Sequence, residues 1–494
     1  MKWETVIGLE VHVQLSTQSK IFSGAIAKFN NKPNTNICAI DLGMPGTLPV
    51  LNENVIAMAI RFGLALGAEI NDISIFERKH YFYPDLPKGY QTSQMTQPII
   101  GPCKINLELD NCENKIVRIN HIHIEEDAGK SIHNYIGGMS GIDFNRAGIP
   151  LVEIVSEADM HSHKEALAYL HAIYNIINYI GISDCNMAKG AMRCDINISI
   201  RPIGTKKLGT RTEIKNVNSF RFVERAIIVE VERQINILNK GNKILRETRI
   251  FNPEKDKTEA LRTKEQTNDY RYFPCPDLLP LKISKNYIDL QKKFIPQLSN
   301  VRKEYFIKNL GISEYMAKFL SLSRDKADYF ECVYKICGDA NLAANWIQCN
   351  LTAKLNSYNL CIKDSPISAY KLGGLLLRIK DKTITNKAAK DVFTDLWTHP
   401  FKNADQIINS KCFLQVNDEN IIKNTINKII SENNIQVDEY INSNDKKRKK
   451  MFGFFIGKIM KRSNSNINPQ KANVLLKKKL DDLYLIKNIK FKCL

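Results

Sequence analysis

In the first ~290 residues, apolar and polar positions alternate with period two in several short stretches. Ile7, Leu9, Val11, Val13 and Leu15 alternate with Gly8, Glu10, His12 and Gln14. Ile122 and Ile124 alternate with His121, His123 and Glu125, and Cys194, Ile196, Ile198 and Ile200 with Arg193, Asp195, Asn197, Ser199 and Arg201. Leu151–Val155 sets Glu153 among apolar neighbours, and Arg211, Glu213 and Lys215 alternate on a fifth segment. Each pattern predicts a strand with one buried face, and turns rich in Gly and Pro separate them. Two long helices interrupt the series. One opens at a capping box, Ser162 with Glu165, carries Ala166, Leu170, Ile173, Ile177 and Ile180, and stops at Gly181. The other carries Phe220, Val223, Ile227, Val231, Ile235 and Leu238 and ends at Gly241. Strands with a few long helices predict an α+β fold with a mainly antiparallel sheet over residues 1–292.

From about residue 293 the period changes to 3.6. Val301–Asn309, Glu314–Ser323, Asp325–Cys337 and Asn341–Asn356 read as successive helices, and 293–405 is assigned as an all-helical domain. Residues 406–494 read as a small helical tail domain. Its last helix opens at Asn468-Pro469 and runs through Ala472, Leu476, Leu480 and Leu483.

Charge adds a partner class. The 494 residues carry 71 Lys and Arg against 52 Asp and Glu, a net +19. Residues 401–494 alone hold 19 Lys and Arg against 9 Asp and Glu, including the run Lys446, Lys447, Arg448, Lys449, Lys450. Such an excess favours a polyanion, nucleic acid first; a solvated charge run and a biased composition are the plainer explanations. No apolar run is long enough to span a membrane, and with no secretion signal the twelve cysteines are expected to be reduced thiols of a cytoplasmic protein. No Cys-x-x-Cys pair occurs, which leaves out zinc ribbons and thioredoxin-like chemistry.

The chemistry follows from the polar strand faces. Any one of them is explained by exposure to solvent, but His-plus-carboxylate sets recur strand after strand. If the faces converge, Glu10, His12, Glu125, Glu126, Glu153 and Asp195 form an acidic concavity that needs a divalent cation, magnesium or manganese rather than zinc. Gly129-Lys130-Ser131 resembles the end of a P-loop, but Ile124 stands where its first glycine belongs. Neither a dinucleotide fingerprint nor a hydrolase elbow is present. Lys79, Lys88 and Lys130 sit in turn-like contexts suited to phosphate. Tyr81–Gln91 and Asp269–Pro274 are dense in aromatics and prolines, able to stack on bases, line a channel or brace a loop.

Several segments together resemble the B-subunit family of the tRNA-dependent amidotransferases. They are Val6–Leu15 (VIGLEVHVQL), Tyr81–Gln94 (YFYPDLPKGYQTSQ), His123–His133 (HIEEDAGKSIH), Asp143–Glu157 (DFNRAGIPLVEIVSE), Met192–Pro202 (MRCDINISIRP), Glu213–Phe220 (EIKNVNSF) and Asp269–Leu278 (DYRYFPCPDL). The resemblance extends in order over essentially the whole chain. It implies a cradle domain that receives the acylated 3′ end of a tRNA, uses ATP to phosphorylate the side-chain carboxylate of Glu-tRNA(Gln) or Asp-tRNA(Asn), and amidates it. The ammonia would come through a tunnel from a partner, the amidase (glutaminase) subunit, with a small third subunit joining the two large ones. On this reading the catalytic set is Glu10, His12, Glu125, Glu126, Glu153 and Lys79, with Glu10, His12, Glu125 and Glu153 on magnesium. Lys88, Tyr90, Lys130, Arg193, Asp195, Glu213, Lys215 and Asn216 would hold substrate or phosphate, and Lys446–Lys450 the tRNA body. The chain departs from the family pattern at Ala158, Ala188, Lys189 and Cys275. It also departs where some members carry paired zinc-binding cysteines: Ser23–Ala25 and Cys38–Asp41 leave one thiol, so no zinc is expected. The alternative is a non-catalytic tRNA-binding or assembly protein of the same fold.

Overall fold

A computed structural model describes residues 2–28, 32–109, 114–263, 267–411, 413, 419–443, 445–463, 467 and 469–492. The chain divides into two compact units, Met1–Val301 and Arg302–Leu494.

In chain order the first unit runs β1 (Trp3–Gln14), α1 (Glu53–Ala65), β2 (Ile73–Ser74), β3 (Glu77–His80), β4 (Tyr90–Ser93), β5 (Cys103–Glu108), β6 (Asn114–Glu126), β7 (Lys130–Ile136), β8 (Met139–Asp143) and β9 (Pro150–Ser156). It continues with α2 (His163–Ile180), β10 (Met192–Pro202), β11 (Thr212–Val217), α3 (Phe220–Asn239), β12 (Glu247–Asn252), β13 (Lys257–Thr263), β14 (Phe273–Pro274), β15 (Leu281–Lys282) and α4 (Lys285–Lys292). All five predicted strands lie in one eight-stranded sheet, ordered β13-β12-β11-β10-β1-β9-β6-β5. Every pair is antiparallel except β11 with β12. β3 is central in a small sheet with β14 and β4.

One face of the large sheet is mainly apolar. Ile7, Leu9, Val11, Val13, Ile122, Ile124, Val152, Ile154, Cys194, Ile196 and Ile198 join a single core with Ala166, Tyr169, Leu170, Ile173 and Ile177 of α2 and Val223, Ala226 and Ile227 of α3. Fully burying such a side chain is worth roughly 1.5–3 kcal/mol. A one-residue slip would turn every one of these side chains to the other face, so the core fixes which side chains form the polar face. α2 is built as expected: the Ser162 side chain accepts from the Glu165 N–H, and Gly181 closes the helix at φ 72°. Helix α1, which the sequence reading did not single out, adds Val55, Ile56, Ala59 and Ile60 to the same core.

The second unit is helical. α5 (Ser299–Lys308) leads into α6 (Glu314–Ser321), α7 (Arg324–Cys337), α8 (Ala340–Trp346), α9 (Thr352–Ser357), α10 (Ala369–Lys380), α11 (Asn386–Thr398) and α12 (Ala404–Ser410). The helix expected over 341–356 is divided by a π-helical turn at Ile347–Leu351. Then follow α13 (Glu419–Glu432), α14 (Asn434–Asn442), α15 (Asp445–Arg462) and α16 (Pro469–Lys492). Phe306, Phe330, Leu375 and Leu396 belong to one core, and Ile422, Ile426, Phe455, Leu476 and Leu480 to a separate one. The expected cap at Asn468 lies outside the described residues. No helix among the described residues is long and apolar enough to cross a membrane.

Candidate active site

The alternation that buries Ile7, Leu9, Val11 and Val13 turns Glu10, His12 and Gln14 to the opposite face. Strand register then aligns them with their neighbours. His12 lies opposite Arg193 of β10 and Glu153 of β9, Glu153 opposite His123 of β6, Glu10 opposite Asp195, and Asn197 opposite Glu213 of β11. Opposed side chains on a sheet sit about 5 Å apart, so these groups meet without any loop having to gather them.

Two histidines and two carboxylates form the centre. His12 Nε2 is 3.2 Å from Glu153 Oε2 and 3.5 Å from Glu125 Oε1. His123 Nε2 is 3.2 Å from the same Glu153 oxygen and 3.7 Å from Glu125 Oε2. Burial disfavours the charge on both imidazoles, yet the carboxylates outweigh it. His12 is pushed up to about 9 and His123 to about 10. Against its own burial, Glu153 is held well below the usual carboxylate range by the two histidines.

The donor atoms of His12, Glu125 and Glu153 lie within 4.8 Å of one another. One imidazole with two carboxylates is a donor set for a hard divalent cation, so these residues fit magnesium or manganese. Glu10, Asp195 and Glu213 form a second such group. The single acidic concavity predicted from the sequence is therefore two groups on one face. In the second, Asn197 Nδ2 donates to Glu10 at 2.9 Å, Thr248 Oγ1 to Glu213 at 2.9 Å and Lys215 Nζ to Asp195 at 2.8 Å.

A cavity of about 330 Å³ opens on this face. His12, Glu125 and Asp195 line it together with Lys79, Arg193, Lys215 and Arg146, and Tyr81, Tyr83 and Tyr270 form part of its wall. Burial disfavours the charge on Lys79, but Tyr272, Glu125 and Glu153 outweigh it and hold the ammonium above its ordinary value. Lys215 is raised in the same way, by Asp195 and Glu213. The two aromatic segments meet here: Tyr81 and Tyr270 approach at 6.3 Å between ring centroids, and His80 stacks on Phe273 at 4.9 Å.

Other expected site residues stand elsewhere. Glu126 follows Glu125 and so points to the other face. It pairs with Lys88 and accepts from the Thr92 N–H at 2.8 Å, which separates Glu126 and Lys88 from the His12 cluster. Tyr90 lies between cations, 4.1 Å from Arg78 and 5.1 Å from Lys88. Lys130 is exposed on β7 and does not line the cavity. Gly129 beside it is needed for close packing: a Cβ there would sit 2.8 Å from Asp85 O and 3.0 Å from Asp143 O. The side chain of Asn216 lies outside the described residues. In the early loop, fully buried Lys20 pairs with Asp41 at 3.1 Å, and Ser23 Oγ donates to the same carboxylate at 2.8 Å.

The basic run is divided as well. Lys447, Lys449 and Lys450 are exposed, and Lys446's side chain lies outside the described residues. Arg448 turns inward, donating to Tyr440 O at 3.2 Å and Ile441 O at 2.9 Å and covering the Tyr484 ring at 4.5 Å.

The candidate set omitted His123, Asp127 and Arg146. Period two on β6 already placed His123 beside Glu125 and carries one step further to Asp127. Arg146 sits in a loop whose sequence has no period.

Residues 5–289 match the family model described as GatB/GatE catalytic domain, and residues 328–480 match that of the GatB domain. The B subunit of the aspartyl/glutamyl-tRNA(Asn/Gln) amidotransferase of Azotobacter vinelandii is 52% identical over 481 residues, 97% of this chain and 100% of the relative. The protein of the same name from Pseudomonas aeruginosa is 53% identical over 481 residues with the same coverage. That from Hahella chejuensis is 52% identical over 480 residues, again 97% and 100%.

Proposed function

The chain belongs to the family of B subunits of the aspartyl/glutamyl-tRNA(Asn/Gln) amidotransferases, and we propose that its cavity activates a side-chain carboxylate carried on the 3′ end of a tRNA. A carboxylate resists attack by ammonia because its charge and resonance make it a poor electrophile. In the proposed first step a carboxylate oxygen of Glu-tRNA(Gln) or Asp-tRNA(Asn) attacks the γ-phosphorus of ATP. The bond to the bridging oxygen breaks and ADP leaves. Ammonia then attacks the acyl carbon, the carbon–oxygen bond to phosphate breaks, and inorganic phosphate departs as the amide forms.

The residues of the cavity suit these steps. Lys79, Arg193 and Lys215 place fixed positive charge where two anions, carboxylate and triphosphate, have to meet, and preorganised groups of this kind are each worth about 10²–10³ in rate. A magnesium or manganese ion held by His12, Glu125 and Glu153, with the Glu10, Asp195 and Glu213 group beside it, would supply charge neutralisation for the transferring phosphoryl group. Tyr81, Tyr83 and Tyr270 narrow access of water to a hydrolysable acyl phosphate. The Cys194 thiol lies in the core beneath the sheet, where burial pushes it well up, so it is a poor amidase nucleophile. That fits ammonia supplied by a separate glutamine-hydrolysing amidase subunit, with a small third subunit holding the assembly together in the cytoplasm. The two separate cores of the second unit suit a helical domain, whose core reaches Ile408, followed by a basic tail that grips the tRNA body through Lys447, Lys449 and Lys450.

The convergence of His12, Glu125 and Glu153 beside half-buried Lys79 carries this reading. Its test is reconstitution with the amidase and small subunits and a misacylated tRNA. Amide formation that requires ATP and releases one phosphate per amide is expected; amidation at the same rate without ATP would overturn it.

A further inference from the structure

Asp127 is 4% exposed; Arg193 at 2.7 Å and Gln14 Nε2 at 2.8 Å donate to its Oδ2, and Arg146 Nε forms an ion pair with the same oxygen at 3.5 Å. Arg146 also donates to Ala128 O at 3.0 Å and Gly129 O at 2.7 Å, clamping the turn that follows β6. Gly129 leaves that turn no slack, since the Asp85 and Asp143 carbonyls occupy the space of a Cβ. Both arginines line the cavity, and Arg193 keeps a 34% exposed side chain. Its Nε is buried with no hydrogen-bond partner among the described residues.

A third carboxylate in a cavity for anionic substrates is costly unless it does something for its cations. One carboxylate held by two guanidiniums leaves a net charge of about +1, and each planar fork can present its remaining edge to a second oxyanion in a fixed orientation. We propose that Asp127 is a positioning residue: it holds Arg193, with Arg146 behind it, so that Arg193's remaining N–H donors receive the side-chain carboxylate of the aminoacyl ester and the acyl phosphate that replaces it. This rests on the function proposed above and adds the group that aims the substrate-holding cation.

The test is steady-state amidation by the reconstituted complex with Asp127→Asn, Arg193→Gln and the double variant. Asp127→Asn keeps the shape and removes the charge. It is expected to lower kcat about 100-fold, the scale of an ~1 Å misplacement, while tRNA affinity changes less than about twofold, because other parts of the chain grip the tRNA body. Because both residues act through one guanidinium, the double variant should be no slower than Arg193→Gln. Wild-type kcat in Asp127→Asn, or losses that multiply in the double variant, would overturn the proposal. If Asp127→Asn does not assemble, Arg193→Lys decides: it keeps the charge without the fork, so a comparable loss is expected and unaltered turnover contradicts the role. A wild-type complex that amidates without ATP overturns the proposed function and this inference together; ATP-dependent amidation with unaltered Asp127→Asn turnover overturns this inference alone.

Discussion

His12 and His123 reach one carboxylate oxygen from opposite sides, each Nε2 lying 3.2 Å from Glu153 Oε2. Strand β9 runs between the strands that carry them and supplies the shared group. Glu153 is therefore the keystone of the cluster. Replacing it with Gln removes the charge that most strongly opposes desolvation of both imidazoles. Both should then lose their protons at lower pH than in the wild type, where they are held up to about 9 and about 10. Titration of the ring C–H resonances of His12 and His123 measures this; unshifted titrations would show that Glu153 does not set their charge.

Glu125 and Glu126 are neighbours with opposite surroundings. Glu125→Gln should lower amidation at least about 100-fold by disabling the cluster, with little change in melting temperature. Glu126→Gln removes the partner of Lys88 and weakens the bond from the Thr92 N–H. It should cost about 1–3 kcal/mol of stability and affect turnover less. Thermal melts and initial rates on the two variants separate these outcomes.

Stability should depend on pH through Glu230. Its fully buried carboxylate accepts from Thr212 at 2.8 Å, Thr258 at 2.7 Å and Arg233 at 2.7 Å, joining α3 to β11 and β13. Burial opposes the charge, but Arg233, Gln234 and Thr258 hold the group below its ordinary value. A depressed carboxylate stabilises the fold above the unfolded value of about 4.3 and loses that contribution as pH falls through the folded one. Glu230→Gln should cost about 3 kcal/mol at neutral pH. The gap in melting temperature from wild type should narrow below about pH 4.

In the tail, Lys449→Ala and Lys450→Ala should weaken tRNA binding at low salt and each reduce the salt slope by about one. Arg448→Ala should act differently. With its contacts to Tyr440, Ile441 and Tyr484 gone, it should destabilise the tail helices, seen by circular dichroism, whatever the salt concentration.

The sheet face was legible because alternation and register are the same physical fact. Once Ile7, Leu9, Val11 and Val13 are buried, Glu10 and His12 have only one direction to point. Capping residues likewise placed α2 within one residue at each end. Periodicity could not tell which members of a face touch. Glu10 turned out to lie with Asp195 and Glu213 of β10 and β11, although its own strand is the neighbour of β9, which carries Glu153. Tertiary partners outside the sheet were also invisible: Lys88 is drawn to Glu126 because the β3–β4 sheet docks at that end of β6. Arg146 comes from a turn held by backbone carbonyls, for which no side-chain pattern exists. Arg448 reads as one of five surface cations, and only the packing of α14 against α15 and α16 shows it as a clasp.

Manganese titration of the assembled complex without tRNA, followed by electron paramagnetic resonance, tests the central claim most directly. The account predicts a bound-ion signal in the wild type and in Glu126→Gln that is lost or weakened at least tenfold in Glu125→Gln and Glu153→Gln. Equal manganese binding by all four proteins would contradict it.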